Sequence, residues 1–165
     1  MQLKATWLVL LGAVIATFAG SALATESQGF TGTTLATGPL DSVDVVNHFM
    51  NNDKLWFSFL KTKGKSDVYV LDNVWQPGGY TGWHTHPSWT LVIVKAGAIT
   101  QYQADDPSCT PHVYTAGMVF VDRGGSHVHN VRNEGEVPAE VIAVRLIPTG
   151  QKGAIDEPDP GNCRF

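Results

Sequence analysis

The sequence predicts an all-β protein built as a sandwich or a barrel. Two observations predict this class: short runs rich in β-branched and aromatic residues recur along the chain, and glycine and proline turns separate them at close spacing. A third is the lack of any convincing long helical pattern, internal repeat or linker. After removal of a first, non-structural segment, the remainder of the 165 residues suits one domain with a full core.

The first 24 residues are predicted to form a secretory signal peptide. Lys4 supplies a positive charge, residues 7–20 are mainly apolar, and Ala22-Leu23-Ala24 is an A-x-A cleavage site. The apolar run is short for a membrane span and ends in small residues. We therefore expect cleavage after Ala24, export to the periplasm or the medium, and no membrane contact afterwards. An uncleaved anchor is the alternative.

The mature chain, residues 25–165, is expected to start with an N-terminal arm or loose edge over residues 25–37, which are rich in Ser, Thr and Gly. Residues 40–50 allow one or two helical turns, but their valines favour a strand. A C-terminal tail from residue 148 is rich in Gly, Pro and Asp and would fray if left alone. The other predicted strands are 55–62, 68–75, 90–95, 99–103, 112–115, 119–121, 127–132 and 140–147.

Charge and motif content exclude several function classes. The formal net charge is −4, and no large Lys/Arg cluster occurs, so nucleic acid and anionic membrane surfaces are poor candidates as partners. The chain also lacks a phosphate-binding loop, a C-x-x-C pair, an H-E-x-x-H helix and a Ser-His-Asp order. Nucleotide-binding proteins and several classes of hydrolase are thereby disfavoured.

The two cysteines, Cys109 and Cys163, lie in turn-like surroundings outside the histidine clusters. In an oxidising compartment we expect them to form a disulfide that ties the tail to the loop before Pro111. Closing a loop of this size contributes about 4 kcal/mol in the chain-entropy model. Two free thiols, or thiolates that bind metal, are the competing interpretations.

A pair of histidines, His84 and His86, follows a glycine-rich turn. On an extended chain the side chains alternate between faces, so these two rings point the same way. Two imidazoles directed into one space suit a divalent metal. The simpler interpretation is two hydrogen-bonded histidines on a solvated sheet face.

A second cluster holds His127 and His129, and with it the chain resembles the cupin superfamily. The first cupin motif has a glycine, then H-x-H, then a glutamate and a glycine at fixed spacing. The second has P-x-G, then a histidine, then an asparagine. The matching positions are Gly78, His84, His86, position 90 and Gly97 for the first motif, and Gly117, Gly125, His129 and Asn133 for the second.

This chain departs from the cupin pattern at three points. Thr90 stands where the family has its glutamate ligand, Arg123 replaces the usual proline, and one extra residue precedes His129. The resemblance implies a double-stranded β-helix, the jelly-roll barrel of cupins, with a metal held by His84, His86 and His129. His127 lies two residues before His129, so either ring could complete the set, or both could.

The resemblance implies a metal-dependent function on a small-molecule substrate or ligand. Cupins that lack the glutamate include iron dioxygenases with three histidines, so the first hypothesis is an oxidoreductase of this type. The second is a redox-inert cupin, holding zinc, manganese or nickel, that acts as an isomerase, lyase or cyclase with Tyr80, Tyr102, His127 or a metal-bound hydroxide as a base. The third is a noncatalytic binder of metal or small ligand. A homodimer is also allowed, because superfamily members often dimerise through sheet edges.

Four further side chains near the motifs have two interpretations each. Trp83 and Trp89 bracket the histidine pair and could form apolar walls of a pocket or simply pack between sheets. Asp122 and Arg123 could meet a substrate, but a solvated turn is the expectation.

Overall fold

The computed structural model describes residues 24–165, so the predicted signal peptide lies outside the described residues except for Ala24. The described part of the chain contains strands and turns but no helix, and therefore no helix that could span a membrane. Its strands are β1 (Gln28–Leu40), β2 (Asp44–Asn51), β3 (Lys54–Lys61), β4 (Ser66–Tyr80), β5 (His84–Thr85), β6 (Thr90–Ala96), β7 (Ala98–Gln103), β8 (His112–Thr115), β9 (Val119–Asp122), β10 (His129–Arg132), β11 (Ala139–Pro148) and β12 (Ile155–Asp156).

Ten of these strands form one antiparallel sheet that curls into a nearly closed barrel. Its main path runs β12-β5-β10-β4-β11-β6-β9, while β1 adds to β4, and β7 joins β10 to β8. Curling a long sheet onto itself leaves few unpaired edges and encloses an interior. The all-β prediction is confirmed, and with it the double-stranded β-helix.

The Ser/Thr/Gly-rich segment expected as an arm or loose edge is a thirteen-residue edge strand, β1. It pairs with β4 along nearly its whole length, from Gln28 opposite Tyr80 to Leu40 opposite Ser66. The sequence predicts that β4 ends at Trp75, but the strand continues to Tyr80. Pro77, which cannot donate to a ladder, is accommodated because the register skips between Gln28 and Phe30 and leaves it outside the pairing.

The core lies inside the barrel and is formed by side chains from alternate positions of its strands. Its buried members are Trp75, Val92, Val94, Ile99, Val131, Ala139 and Val141. The Phe30 ring packs against Trp75 with 4.8 Å between ring centroids. Removal of this apolar area from water is the main stabilising contribution to the barrel.

The C-terminal tail is fixed to the barrel. Cys109 and Cys163 form the expected disulfide, and the described chain has no free cysteine. The Asn162 amide donates to the carbonyl oxygens of Gln103 and Asp106 at 2.9 and 2.6 Å. A small second cluster of Trp83, Tyr102 and Cys163 underlies the tail. Since stable disulfides form in oxidising compartments, this bridge indicates a location outside the cytoplasm.

β2 and β3 form a separate two-stranded hairpin inserted between β1 and β4. The strand interpretation of residues 40–50 is therefore correct, and the helical alternative is not. Asn52 and Asp53 adopt positive φ angles of 48° and 64° in the turn, as a tight hairpin turn requires. All backbone pairing of β2 is with β3, so the hairpin adds nothing to the barrel's sheet.

Candidate metal centre

Three buried histidines meet inside the barrel. His84 opens β5, His86 follows that strand, and His129 opens β10, where it is the cross-strand partner of His84. Only 8, 3 and 2% of the three residues are exposed. One nitrogen from each ring lies within 4.8 Å of the other two. Small side-chain movements would bring all three to about 2.1 Å from one ion, the usual zinc–imidazole distance.

The backbone sets the orientation of each ring. The Nδ1 atoms of His84, His86 and His129 lie 3.1, 2.8 and 3.2 Å from the carbonyl oxygens of Gly82, Gly153 and His127 respectively. A carbonyl can only accept, so each Nδ1 carries the proton and each Nε2 presents a lone pair. This is how metal-binding histidines are commonly held. The donor set therefore fits a divalent metal ion.

Burial favours the neutral form of the His84 and His129 rings. Burial lowers the pKa of His84 well below its usual value, and the adjacent His129 and His86 lower it further. Burial also lowers the pKa of His129 to about 4, against an opposing effect of Asp122. Neutral imidazole is the form that binds metals, so this pair is ready to coordinate at neutral pH.

His127 does not join the three histidines. β10 begins only at His129, and His127 lies in the preceding turn, where its amide donates to the Gly124 carbonyl at 3.2 Å. The alternation of an extended strand therefore does not apply to the pair. The half-buried His127 side chain lines a separate polar depression instead. Its backbone carbonyl, rather than its ring, serves the cluster by orienting His129.

Asp122 is the site residue that the sequence interpretation missed. The expected solvated turn is wrong for this side chain, which is 6% exposed. Its Oδ2 lies 3.1 Å from Nε2 of His86 and 3.2 Å from Nε2 of His129. Burial would raise the pKa of Asp122, but the contact with His86 and the charge of His129 outweigh it and lower the pKa to about 2.

A polar row crosses three strands beside the histidines. Thr90 of β6 is opposite Asp122 of β9 on one side and Arg145 of β11 on the other. Arg145 donates from Nε to the Thr90 hydroxyl at 3.2 Å and from a terminal nitrogen to the Gly153 carbonyl at 2.8 Å. Burial lowers the pKa of Arg145, while Asp122 opposes that effect. The site thus combines a carboxylate and a guanidinium.

The histidines and the polar row lie at one end of a cavity of about 290 Å³. The other walls are largely apolar, formed by side chains that include Phe30, Leu71, Trp75, Val92, Ile99, Phe120, Val131, Val141 and Ala143. A mostly apolar cavity with a few convergent polar groups is the usual form of a small-molecule site. The arrangement can hold a metal and a small molecule side by side.

Several candidate side chains lie elsewhere in the structure. Trp83 belongs to the cluster under the tail, and Trp89 is partly exposed, so neither lines the cavity. Tyr80 donates to Gln28, and Tyr102 donates to Glu134 at 2.7 Å. Burial and that hydrogen bond raise the pKa of Tyr102 to about 12. Neither tyrosine is positioned to act as a base in the cavity.

The remaining motif positions have structural roles. Gly97 has a φ of 68°, and a Cβ there would lie 2.7 Å from the Pro138 carbonyl oxygen, so only glycine fits the turn. The fully buried Asn133 donates to the carbonyls of Trp75 and Val137 at 3.0 and 2.8 Å. Gly97 and Asn133 thus fix a turn and the backbone near the site and do not enter the cavity.

Comparison with known proteins supports the family resemblance. Residues 73–145 match the family model described as a cupin domain. This segment contains all three clustered histidines, Asp122 and Arg145. No curated protein matches the chain at a significant level.

Solved structures of similar architecture have low sequence identity to the chain. A cupin-like protein from Thermotoga maritima is 20% identical, with a TM-score of 0.46 over 59% of this chain and 79% of its own. A double-stranded β-helix protein from Klebsiella pneumoniae is 22% identical, with a TM-score of 0.43 over 70% and 84%. An oxalate oxidase in complex with glycolate is 22% identical, with a TM-score of 0.45 over 53% and 45%. These weak likenesses assign no substrate or activity to the chain.

Proposed function

The chain belongs to the cupin superfamily, and we propose that it is an exported metal-binding cupin that acts as a metal-dependent oxidoreductase of the dioxygenase type on a small molecule. One observation carries the proposal: three buried imidazoles present their Nε2 lone pairs to a common point at the polar end of an apolar cavity. His84, His86 and His129 are the proposed metal ligands. When bound, a redox-active ion such as iron(II) would activate dioxygen, and the oxidised substrate would supply the electrons for its reduction.

The protein's own residues would bind and orient the substrate. Arg145 lies in the same row as Thr90 and Asp122 and gives this end of the cavity a fixed positive charge. A carboxylate on the substrate would be held by that guanidinium. The apolar walls would exclude water and accept the rest of the molecule. We therefore propose a small carboxylic acid with an apolar body as the substrate class.

The alternative proposals use the same site. A redox-inert cupin needs a general base, and two of the bases considered for it, Tyr80 and Tyr102, are engaged outside the cavity. His127 faces the separate polar depression. A metal-bound hydroxide is the remaining candidate base for the redox-inert cupin. A noncatalytic binder of metal or small ligand would need only the cavity and the histidines.

Export is proposed on two grounds. The Cys109–Cys163 disulfide supports a non-cytoplasmic location, and the first 24 residues have the composition of a signal peptide. Mass spectrometry of the protein from its native compartment should find a mature N-terminus at Thr25. A chain that retains residues 1–24 would contradict cleavage.

The function is tested by elemental analysis of protein from its native compartment, followed by measurement of dioxygen uptake with a panel of small carboxylic acids and their methyl esters. Iron, with uptake that depends on an acid and not on its ester, supports the proposal. Zinc or manganese without uptake would instead support the redox-inert cupin. Protein without metal and without turnover would contradict both.

A further inference from the structure

The first inference rests on the proposed metal site and concerns the ligand that Thr90 cannot provide. The Thr90 hydroxyl accepts a hydrogen bond from Arg145, and a hydroxyl is a poor replacement for a carboxylate ligand. Directly opposite Thr90 on the neighbouring strand is Asp122. Partners in an antiparallel pair project to the same face. The geometry points to Asp122 as the fourth protein ligand of the metal.

The distances from Asp122 to two of the three rings fit shared coordination, although the group of ligand atoms that lie within 4.8 Å of one another holds the three histidines alone. Oδ2 of Asp122 is 3.1 and 3.2 Å from Nε2 of His86 and His129. Two donor atoms bound to one ion at about 2.1 Å are separated by roughly 3.0–3.4 Å in octahedral or tetrahedral geometry. Oδ1 of the same carboxylate accepts from the Gly124 amide at 3.1 Å, which fixes the side chain and leaves Oδ2 for the ion.

The hydrogen-bonding roles also favour a positive charge at this point, which a metal ion supplies in the loaded site and a proton on a facing Nε2 supplies in the metal-free protein. The ring of His129 uses its proton at Nδ1, toward the carbonyl of His127, so its Nε2 lone pair faces a carboxylate oxygen. The same holds for His86, whose Nδ1 faces the Gly153 carbonyl. Lone pairs opposite a buried carboxylate repel it, and a divalent ion bound among the three atoms turns that repulsion into attraction.

The test measures binding of Co²⁺ and Zn²⁺ to the metal-free protein by calorimetry and by the visible absorption of the cobalt form. Asp122→Asn keeps the shape and the contact with the Gly124 amide, and should weaken binding at least tenfold and change the cobalt spectrum. Asp156→Asn is the matched control, because it removes an equal charge from the exposed rim of the same cavity. Its affinity should stay within about threefold of the unmodified protein.

The outcomes separate this inference from the proposed function. If the unmodified protein binds no metal, the proposed function fails. If it binds one equivalent and Asp122→Asn binds equally well with the same spectrum, only the role of Asp122 fails. Should Asp122→Asn not fold, a crystal structure of the zinc-loaded unmodified protein decides: Oδ2 should lie about 2.0–2.2 Å from zinc, and a separation above 3 Å would overturn the inference.

A second, independent inference concerns the hairpin of β2 and β3. Both of its faces are apolar, because cross-strand pairs such as Phe49–Trp56 and Val46–Phe59 alternate between them. Its large apolar side chains, 39 to 70% exposed, are Val45, Val46, Phe49, Met50, Leu55, Trp56, Phe57, Phe59 and Leu60. A fully exposed aromatic side chain has about 150–250 Å² of accessible surface, so the nine side chains together expose on the order of 900 Å² of apolar area. That exceeds the roughly 300–600 Å² of the largest patch on a typical monomer.

We propose that this hairpin packs on a second copy of the same chain. The outer face of β11, β6 and β9 carries a matching apolar grid, because the residues between the cavity-lining ones project outward. Its members are Leu91, Ile93, Val119, Val121, Ile142 and Val144. Reciprocal docking of each hairpin on this grid gives a closed two-fold dimer. The hairpin's exposed area is divided between its two faces, so the docked face together with the grid would supply the roughly 800 Å² that each partner buries in a standard interface.

The polar groups of the hairpin argue against a membrane as the occupant. Its tip is Asn51-Asn52-Asp53-Lys54, and its base carries the Asp44–Lys61 ion pair at 2.6 Å. Insertion tip-first would bury Asp53 and Lys54 in hydrocarbon, at a large free-energy cost. A protein surface can cover the apolar middle and leave both charged ends in water.

Analytical ultracentrifugation of the full mature chain at micromolar concentration tests the dimer. The unmodified protein should sediment as a dimer, and Phe57→Lys with Phe59→Lys should give a monomer that keeps its metal content. Val137→Lys, at an exposed apolar residue outside both surfaces, is the matched control and should remain dimeric. A monomeric unmodified protein, including one that binds phosphatidylglycerol vesicles instead, would overturn the proposal, as would a hairpin variant that still dimerises.

Discussion

Each clustered histidine has two nitrogens with different roles in this structure. Nδ1 points to a backbone carbonyl, which fixes the ring, and Nε2 points into the cavity. The carbonyls come from Gly82, Gly153 and His127, two of which lie only two residues from the ring they hold. The local turns of the chain therefore help to set the coordination geometry. Metal affinity should depend on individual rings more than on overall charge.

We predict that His86→Ala lowers the metal content of purified protein well below one equivalent. The ring of His86 is one of three that converge, and its loss leaves two imidazoles and the Asp122 carboxylate, one ligand fewer than in the intact site. Metal content is measured by mass spectrometry of protein loaded with one equivalent of Zn²⁺ and then dialysed. His127→Ala is the matched control, because that ring lines another depression. Equal zinc in the His86 variant and the unmodified protein would contradict the assignment.

At the scale of single elements, the disulfide and the tail form one structural unit. Cys163 joins Cys109, Asn162 donates to two loop carbonyls, and the Phe165 ring lies against the Arg132 guanidinium at 3.9 Å. Such stacking of a cation on an aromatic ring is favourable. A tail whose composition alone predicts fraying is thus held at several points.

We predict that Cys163→Ser loosens the tail and destabilises the protein by up to about 4 kcal/mol, the entropy of the loop that the bridge closes. The measurement is the urea midpoint together with the rate of proteolysis within residues 148–165. The unmodified protein treated with reductant should behave like the variant. Equal protease resistance with and without reductant would show that the other tail contacts suffice.

The elements that the sequence predicts well are those with strong local patterns. The alternating apolar runs of β6, β7 and β11 lie close to their expected bounds. The sequence predicts β1 only as an arm or edge, because its glycines and its proline weaken the strand signal of its threonines, and its pairing with β4 supplies the order. The predicted end of β4 is also wrong, because proline and glycine usually terminate a strand, whereas here they lie in an unpaired bulge.

At the scale of the whole molecule, the site depends on register between distant strands. The H-x-H spacing predicts that His84 and His86 act together, but Asp122 enters the site only because β9 pairs with β6 opposite Thr90. Arg145 does so because β11 pairs with the other side of β6. Neither register can be deduced from a local pattern, so the sequence places Asp122 in a solvated turn and does not single out Arg145. The exposure of the hairpin also cannot be deduced from the sequence, because a strand pattern does not indicate whether another element covers the faces of the strand.

The buried site also predicts how the stability of the whole metal-free protein depends on pH. Burial lowers the pKa of His129 to about 4, and that of His84 lies well below its usual range. In the unfolded chain the pKa of an imidazole is about 6.5. Below that pH the unfolded state binds protons that the native state does not, so the free energy of unfolding falls as the pH drops from 6.5 towards 4. Asp122, with its pKa lowered to about 2, extends the loss below 3.8.

We therefore expect the urea midpoint of chelator-treated protein to decrease steadily between pH 6.5 and 4.5, with at most about 1.4 kcal/mol per pH unit from each buried histidine. Replacement of His129 by Gln should flatten this dependence, because the side chain no longer titrates. His127→Gln is the control and should keep the slope of the unmodified protein, since that ring is half-buried and outside the cluster. A midpoint that does not change over this pH range would mean that the buried rings take up protons as readily as in the unfolded chain, and their pKa values would then not be lowered by burial.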